Sequence, residues 1–229
     1  MVDPEAGFPI GFFSRADELP DDEFYEPLRL VTHIDDRAIA AVGRLYEHLG
    51  IDGSAPGSRR VLDLMSSWIS HFRAAPAELV VLGMNGEELA ANEAATERVV
   101  LDLNVEPALP FPDESFDAAT CCVSVDYLVR PIEVFREVAR VLRPSGVFVL
   151  TFSNRCFPTK AIRGWLANDD EGHVAIVREY FRRADGWAEP EAALCTAPGA
   201  PGDPCGSSTS CRAGSPTSGR RPPSSSCSA

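Results

Sequence analysis

Between residues 60 and 153, apolar runs of strand length alternate with amphipathic or turn-rich stretches, and this alternation restricts the fold more than any other feature. The apolar runs are "RVLDLM" (60–65), "ELVVLGM" (78–84), "ERVVLDL" (97–103), "FDAATCCVSV" (116–125) and "GVFVLTFS" (146–153). Each is nearly continuous in apolar residues, as expected of strands buried on both faces of a parallel sheet. Between them lie "SWISHFRAA" (67–75), read as a short helix or turn, and the helices "GEELAANEAA" (86–95) and "PIEVFREVARVL" (131–142). Pro131 suits a first helical position, and Ile132, Phe135, Val138 and Leu142 share one face. Strands alternating with helices predict an α/β fold: a mostly parallel sheet flanked by helices.

The flanks read differently. The stretch "DDRAIAAVGRLYEHLG" (35–50) spaces Ile39, Val42, Leu45, Tyr46 and Leu49 as a helix, capped by Asp35 or Asp36 and ended by Gly50. Residues 1–59 form an N-terminal extension containing that helix, and residues 60–191 the α/β domain. Two helical stretches, 158–168 and 171–184, follow the last strand run. From 192 to 229 the chain is Ala, Pro, Gly, Ser and Cys with almost no large apolar residue. Such a composition buries too little surface to offset its ordering entropy, so disorder is expected. It suits a flexible tail or an out-of-frame end of GC-rich coding sequence; Lys160 is the chain's only lysine beside many arginines.

Charge and cysteine usage exclude several functions. The formal net charge is -13, which repels phosphate backbones and argues against nucleic-acid partners. No apolar run is long enough to span a bilayer. The acidic, proline-punctuated start matches neither a secretory signal nor a transit peptide, which points to the cytoplasm if Met1 is the true start. No Cys or His spacing suggests a metal site. No G-x-S-x-G, P-loop or G-x-G-x-x-G is present.

In an open parallel sheet, ligands bind at the carboxyl ends of the strands. Five short stretches therefore carry the candidate chemistry. After the first strand run come Asp63 and "LMSSWIS". Ser66 and Ser67 are small and bear hydroxyls, and Trp68 either stacks on a ligand or plugs the site. Glycines usually occupy such a turn because they allow positive φ, and Met65 there would cost about 1 kcal/mol or more. After the second run, Asn85 suits either ribose hydroxyls or a helix cap. After the third, Asp102 can accept from an adenine amino group while the Leu103 amide donates to a ring nitrogen; a solvated loop acid is the alternative. After the fourth, Ser124, Asp126 and Tyr127 are placed to face the reacting end of a ligand or to serve as cap and packing. After the fifth, Asn154 and Lys160 lie at the mouth. His33 reads as structural, and the acidic run 21–23 as solvated.

Together these positions resemble the type 11 branch of the class I S-adenosylmethionine-dependent methyltransferases. The most specific part is "LPFPDESFDAATCCVSVDYL" with "EVFREVARVLRPSGVFVLTFSN". It looks like that family's acidic loop, fourth strand, helix end and fifth strand. The resemblance covers about residues 60–153, and more loosely continues to Trp187. The family's loop glycines fall on Met65, Ser67 and Ile69, and its ribose acid on Asn85. Its adenine acid falls on Asp102, while Ser145 replaces one glycine of the pair kept at Gly146. The resemblance implies a Rossmann-like sheet and S-adenosylmethionine as cofactor, held by Asp63, Ser66, Ser67, Asn85, Asp102 and Leu103. Asp126 and Tyr127 would face a small-molecule substrate, and residues 12–36 would act as a lid. The family's last two strands fall on the low-complexity tail and are expected to be missing. The alternative, favoured by the lost glycines, is a catalytically inactive methyltransferase-like binding or scaffold protein.

Overall fold

The computed structural model describes residues 7–195 and 209–216. Its seven strands form one sheet in the order β3-β2-β1-β4-β5-β7-β6. They are β1 (Arg60–Leu64), β2 (Glu78–Gly83), β3 (Glu97–Val100), β4 (Phe116–Cys122), β5 (Leu142–Phe152), β6 (Trp187–Leu194) and β7 (Thr209–Pro216). β1 pairs in parallel with both β2 and β4, so the strand order reverses beside it. β3 and β5 extend the parallel portion at either side. β7 is antiparallel to β5 and β6.

The helices are α1 (Asp21–Tyr25), α2 (Asp36–His48), α3 (Gly86–Ala91), α4 (Pro131–Val141), α5 (Arg163–Leu166) and α6 (Asp170–Ala184). Side-chain caps account for several starts: Asp35 accepts from the Ala38 amide, Asn85 from Glu87 and Glu88, and Asp169 from Gly172. Gly50, at φ 64°, turns the chain out of α2. The two-residue period of the strands feeds two cores. Leu62, Leu64, Phe148 and Leu150 pack with α4 and α6 residues such as Phe135 and Phe181. Val61, Val81, Ala118 and Val149 pack with Val42 and Tyr46 of α2 and Leu89 of α3. The stripe predicted on α4 is buried at Ile132, Phe135 and Val138; Leu142, grouped with them, is buried as the first residue of β5.

Four expectations need correction. First, the sheet does not lack its last two strands: β6 and β7 complete it. Second, disorder from residue 192 fails for 192–194 and 209–216, which lie in those strands; the remainder of that tail lies outside the described residues. A strand held between two partners is stabilised by main-chain hydrogen bonds, which hydrophobic patterning does not reveal. Third, of the two alternatives for residues 67–75 the turn holds and the helix does not, because Ser67 and Ser70 direct their hydroxyls to Glu88 and Asp63. Fourth, the acidic run at 21–23 begins the additional helix α1, and Asp21 is buried rather than solvated.

That burial is explained by Lys160, whose side chain is also fully enclosed. Its Nζ lies 3.1 Å from Asp21 and 3.3 Å from Asp17 and donates to the Leu19 carbonyl at 2.8 Å. Arg15 bonds Asp21 at 2.7 Å, and Asn104 donates to the same carboxylate at 3.0 Å. Lys160 therefore ties the N-terminal segment to the chain that follows β5, instead of lying at the mouth. The ring of Phe12 occupies the space above Gly164, where an added Cβ would come within 2.3 Å of it.

The turn into β5 shows where local strain can be relieved. Ser145 sits at φ 70°, a left-handed conformation that glycine adopts freely, and its side chain is exposed. Ser145→Gly should raise stability by about 0.5–1 kcal/mol, read as a higher denaturation midpoint at unchanged slope.

Candidate functional site

A cavity of about 500 Å³ opens at the carboxyl ends of the parallel strands, beside the β1–β4 reversal point. Such crevices are where open α/β sheets bind ligands. The loops after β1, β2, β3, β4 and β5 contribute to its wall, and residues of the N-terminal segment, including Tyr25, Arg29 and His33, complete it.

Asp63 anchors the floor. It is 5% exposed, and its carboxylate accepts hydroxyl hydrogen bonds from Ser66 (2.7 Å), Ser70 (2.6 Å) and Thr120 (2.7 Å). Burial pushes its carboxyl above the ordinary range, while the three hydroxyls pull in the opposite direction. The Ser66 amide donates to Leu82 of β2 at 2.8 Å. Its carbonyl stands so close to Gly83 that a Cβ there would come within 2.2 Å of the oxygen. Gly83 thus admits the loop to its position. Ser67 donates to Glu88 at 2.5 Å, and Glu88 also accepts the Arg29 amide at 2.7 Å. Trp68 donates through Nε1 to the Val31 carbonyl at 3.1 Å, which links the loop to the N-terminal segment.

The backbone of this loop keeps the conformation that glycine favours. Met65 has φ 53°, and Val123, at the end of β4, has φ 47°. Both line the cavity. Left-handed conformations cost a non-glycine residue on the order of 1 kcal/mol or more and cluster at functional sites.

The remaining predicted residues lie on the cavity wall, except Asp126 and the Lys160 already described. Asn85 lines the wall, but its amide is engaged: the oxygen caps α3, and the nitrogen donates to the Tyr25 and Glu26 carbonyls. Asp102 also lines it. Its Oδ1 accepts the Asn104 amide at 2.8 Å, and the Val105 amide also holds the carboxyl. Burial raises its carboxyl, opposed by the Asn104 amide. The Leu103 amide beside it has no acceptor among the described residues. Tyr127 is on the wall, and its hydroxyl accepts the Phe157 amide at 2.8 Å. Asp126 is not: its side chain is buried off the cavity, with Oδ2 unpartnered. The short turn Val125–Tyr127 faces consecutive side chains different ways, so Tyr127 reaches the cavity and its neighbour does not.

Sequence reasoning missed Thr120, Ser70, Glu88 and the cavity position of His33. Thr120 lies within an apolar run and is brought to Asp63 only by the parallel register that sets those two residues opposite each other. The single lysine in an arginine-rich chain was the one available signal of a special environment.

Comparison with known proteins agrees with this architecture. The family described as "Methyltransferase domain" matches residues 64–150. Over residues 64–150 the chain is similar to class I S-adenosylmethionine-dependent methyltransferase domains. An uncharacterized methyltransferase, YcgJ of Bacillus subtilis, is 40% identical over 60 residues, 26% of this chain and 24% of that protein. The ubiquinone/menaquinone biosynthesis C-methyltransferase UbiE of Dinoroseobacter shibae is 31% identical over 133 residues, 52% of this chain and 53% of that one. The chain therefore spans about a quarter to about half the length of these relatives. The fold matches a methyltransferase structure from Archaeoglobus fulgidus with TM-score 0.53 at 14% identity, covering 78% of this chain and 94% of that one.

The class implies S-adenosylmethionine as cofactor. The cavity fits it in part: its volume lies within the range of small-molecule sites, and Asp102 beside Leu103 sets a carboxylate acceptor next to an amide with no acceptor among the described residues. Among the described residues no helix is long and apolar enough to cross a membrane, and no group of His, Cys, Asp and Glu is placed to hold a metal.

The buried Asp126 yields a pH test. Burial raises its carboxyl from the ordinary 3.8 to about 8. Between those values the folded chain keeps a proton that the unfolded chain has released, so stability falls as pH rises through the window. Asp126→Asn stays neutral throughout. It should match the parent near pH 5 and exceed it at pH 8 by roughly 1–3 kcal/mol, measured by urea denaturation at both values.

Proposed function

We propose that this chain binds S-adenosylmethionine in the cavity and transfers a methyl group to a small-molecule acceptor. The observation that carries this reading is the Asp102–Leu103 pair on the β3 side of the wall, a carboxylate next to an amide with no acceptor among the described residues. The carboxylate of Asp102, with more acceptor sites than its two backbone donors fill, suits an adenine amino group, and the Leu103 amide suits the adjoining ring nitrogen. When bound, S-adenosylmethionine supplies a methyl group on a positively charged sulfur. Methyl transfer is an in-line displacement, which depends on alignment and exclusion of water more than on a strong acid or base. Asp63, with Ser66 and Ser70, fixes the loop after β1, and Ser67 joins that loop to α3 through Glu88. Asn85 holds the N-terminal segment down instead of reaching for ribose hydroxyls. Residues 12–36 serve as the lid that excludes water, and Tyr127 presents its ring to the acceptor.

A second reading, a methyltransferase-like binding module without catalysis, has its own support. Asp63 already accepts three hydroxyls, and both ends of the Asn85 amide are engaged, so the two have little capacity left for a ligand.

Calorimetric titration with S-adenosylmethionine and S-adenosylhomocysteine distinguishes the two. The enzyme reading expects binding, weakened about tenfold by Asp102→Ala, which removes a charge-assisted hydrogen bond. Absence of binding at millimolar cofactor would defeat it, and an unchanged affinity in the variant would refute the role of Asp102.

A further inference from the structure

The outer part of the cavity has a chemistry of its own. Phe157, in the loop after β5, is the centre of a group of rings: His33 stands 5.3 Å from it, Phe24 5.4 Å, Tyr127 6.0 Å and Tyr25 6.4 Å, centroid to centroid. All but Phe24 line the cavity. Two arginines border the same wall. The guanidinium carbon of Arg29 lies 4.9 Å from the Phe24 centroid and 5.9 Å from that of Phe157. Its Nη1 and Nη2 donate to the Pro27 and Phe24 carbonyls, leaving Nε and further N–H directions unassigned. Arg155, two residues before Phe157, is exposed, and its guanidinium meets no acceptor among the described residues. Neither guanidinium has a carboxylate within 4.0 Å among those residues.

The acids lining the cavity are accounted for elsewhere. Asp21 is neutralised by Arg15 and Lys160. Asp63 accepts three hydroxyls, and Glu88 holds Ser67 and the Arg29 amide. Asp102 belongs to β3's side, at the far end of the parallel strands from β5. Two unpaired guanidinium groups beside a ring-lined wall are unexpected in a chain of net charge -13. The chain's overall field repels anions but is screened beyond about 8 Å at physiological ionic strength, so the local groups decide what binds. A guanidinium fork matches a carboxylate or phosphate in the plane of its own N–H groups, and aromatic walls favour flat apolar bodies.

We infer that the acceptor held in this outer part is a planar aromatic anion, its ring against Phe157, Tyr25 and Tyr127 and its acidic group on Arg155 and Arg29. The inference rests on the methyltransferase reading for the acceptor's role, but the site itself is defined without the cofactor.

Equilibrium binding of 4-hydroxybenzoate and of 4-hydroxybenzyl alcohol to the full chain tests it, with and without S-adenosylhomocysteine. The two probes share a ring and differ in the acidic group. The acid should bind about tenfold more tightly or better, as expected for charge-assisted contacts in a partly enclosed site. Arg155→Gln, on an exposed side chain that leaves the core intact, should narrow the gap between the probes. Arg29→Gln should do the same. Equal affinities, preference for the alcohol, or no binding of either probe in both conditions would overturn the inference, as would an acid preference that survives both substitutions. Titration of S-adenosylhomocysteine alone tests the other reading separately. Acid preference without S-adenosylhomocysteine binding supports the anion site and defeats the methyltransferase reading; the converse result defeats the anion site alone.

Discussion

The carboxylate of Asp63 joins three parts of the domain at one buried point. Thr120 brings it β4, while Ser66 and Ser70 bring it the first half of the loop that follows β1. A buried acid without such partners would be costly, since each lost hydrogen bond leaves an unsolvated polar atom. With them, the loop is held by side-chain hydroxyls in a shape whose backbone would otherwise suit glycine. The left-handed Met65 and the Ser66 carbonyl over Gly83 follow from that hold. The floor of the cavity is therefore rigid because its polar groups satisfy each other, and for the same reason it offers fewer free groups to a ligand. The vacant hydrogen-bonding capacity lies instead at Asp102 and Leu103, and at the two arginines on the outer wall.

The second organising contact is Lys160 with Asp21. Removing two charges from water costs several kcal/mol, and the pair is sustained by short contacts and by further donors on the same carboxylate. Such pairs contribute orientation more dependably than stability. Here the orientation is that of residues 14–33 across the strand ends, reinforced by Asn85 and Glu88 from α3. The cavity has a complete wall because the N-terminal segment is attached at both of its sides.

Much of the sheet was legible in the sequence because burial on both faces leaves continuous apolar runs, and the register then follows from parallel pairing. The helix α4 was legible from its stripe and Pro131. The cap roles of Asp35 and Asn85 follow from local chemistry and could be anticipated, Asn85 only as one of two alternatives. What stayed hidden depends on contacts distant in sequence. Thr120 meets Asp63 across 57 positions, and Lys160 meets Leu19 across 141; no local pattern encodes either. Asp126 and Tyr127, adjacent in sequence, could not be separated without knowing how the turn faces them. β7 escaped notice because a strand bonded on both sides through its main chain needs no hydrophobic signature.

Lys160 has one more consequence. It is the only lysine in the chain, and its amine is fully enclosed. With the N-terminal segment in place, every cation on the outside is a guanidinium, an imidazolium or the chain's own amino terminus. Reagents that acylate primary amines therefore find no accessible side chain on the closed form. Slow acylation at Lys160 would count openings of that segment one molecule at a time, so the residue that fastens it is also a built-in chemical clock for its release.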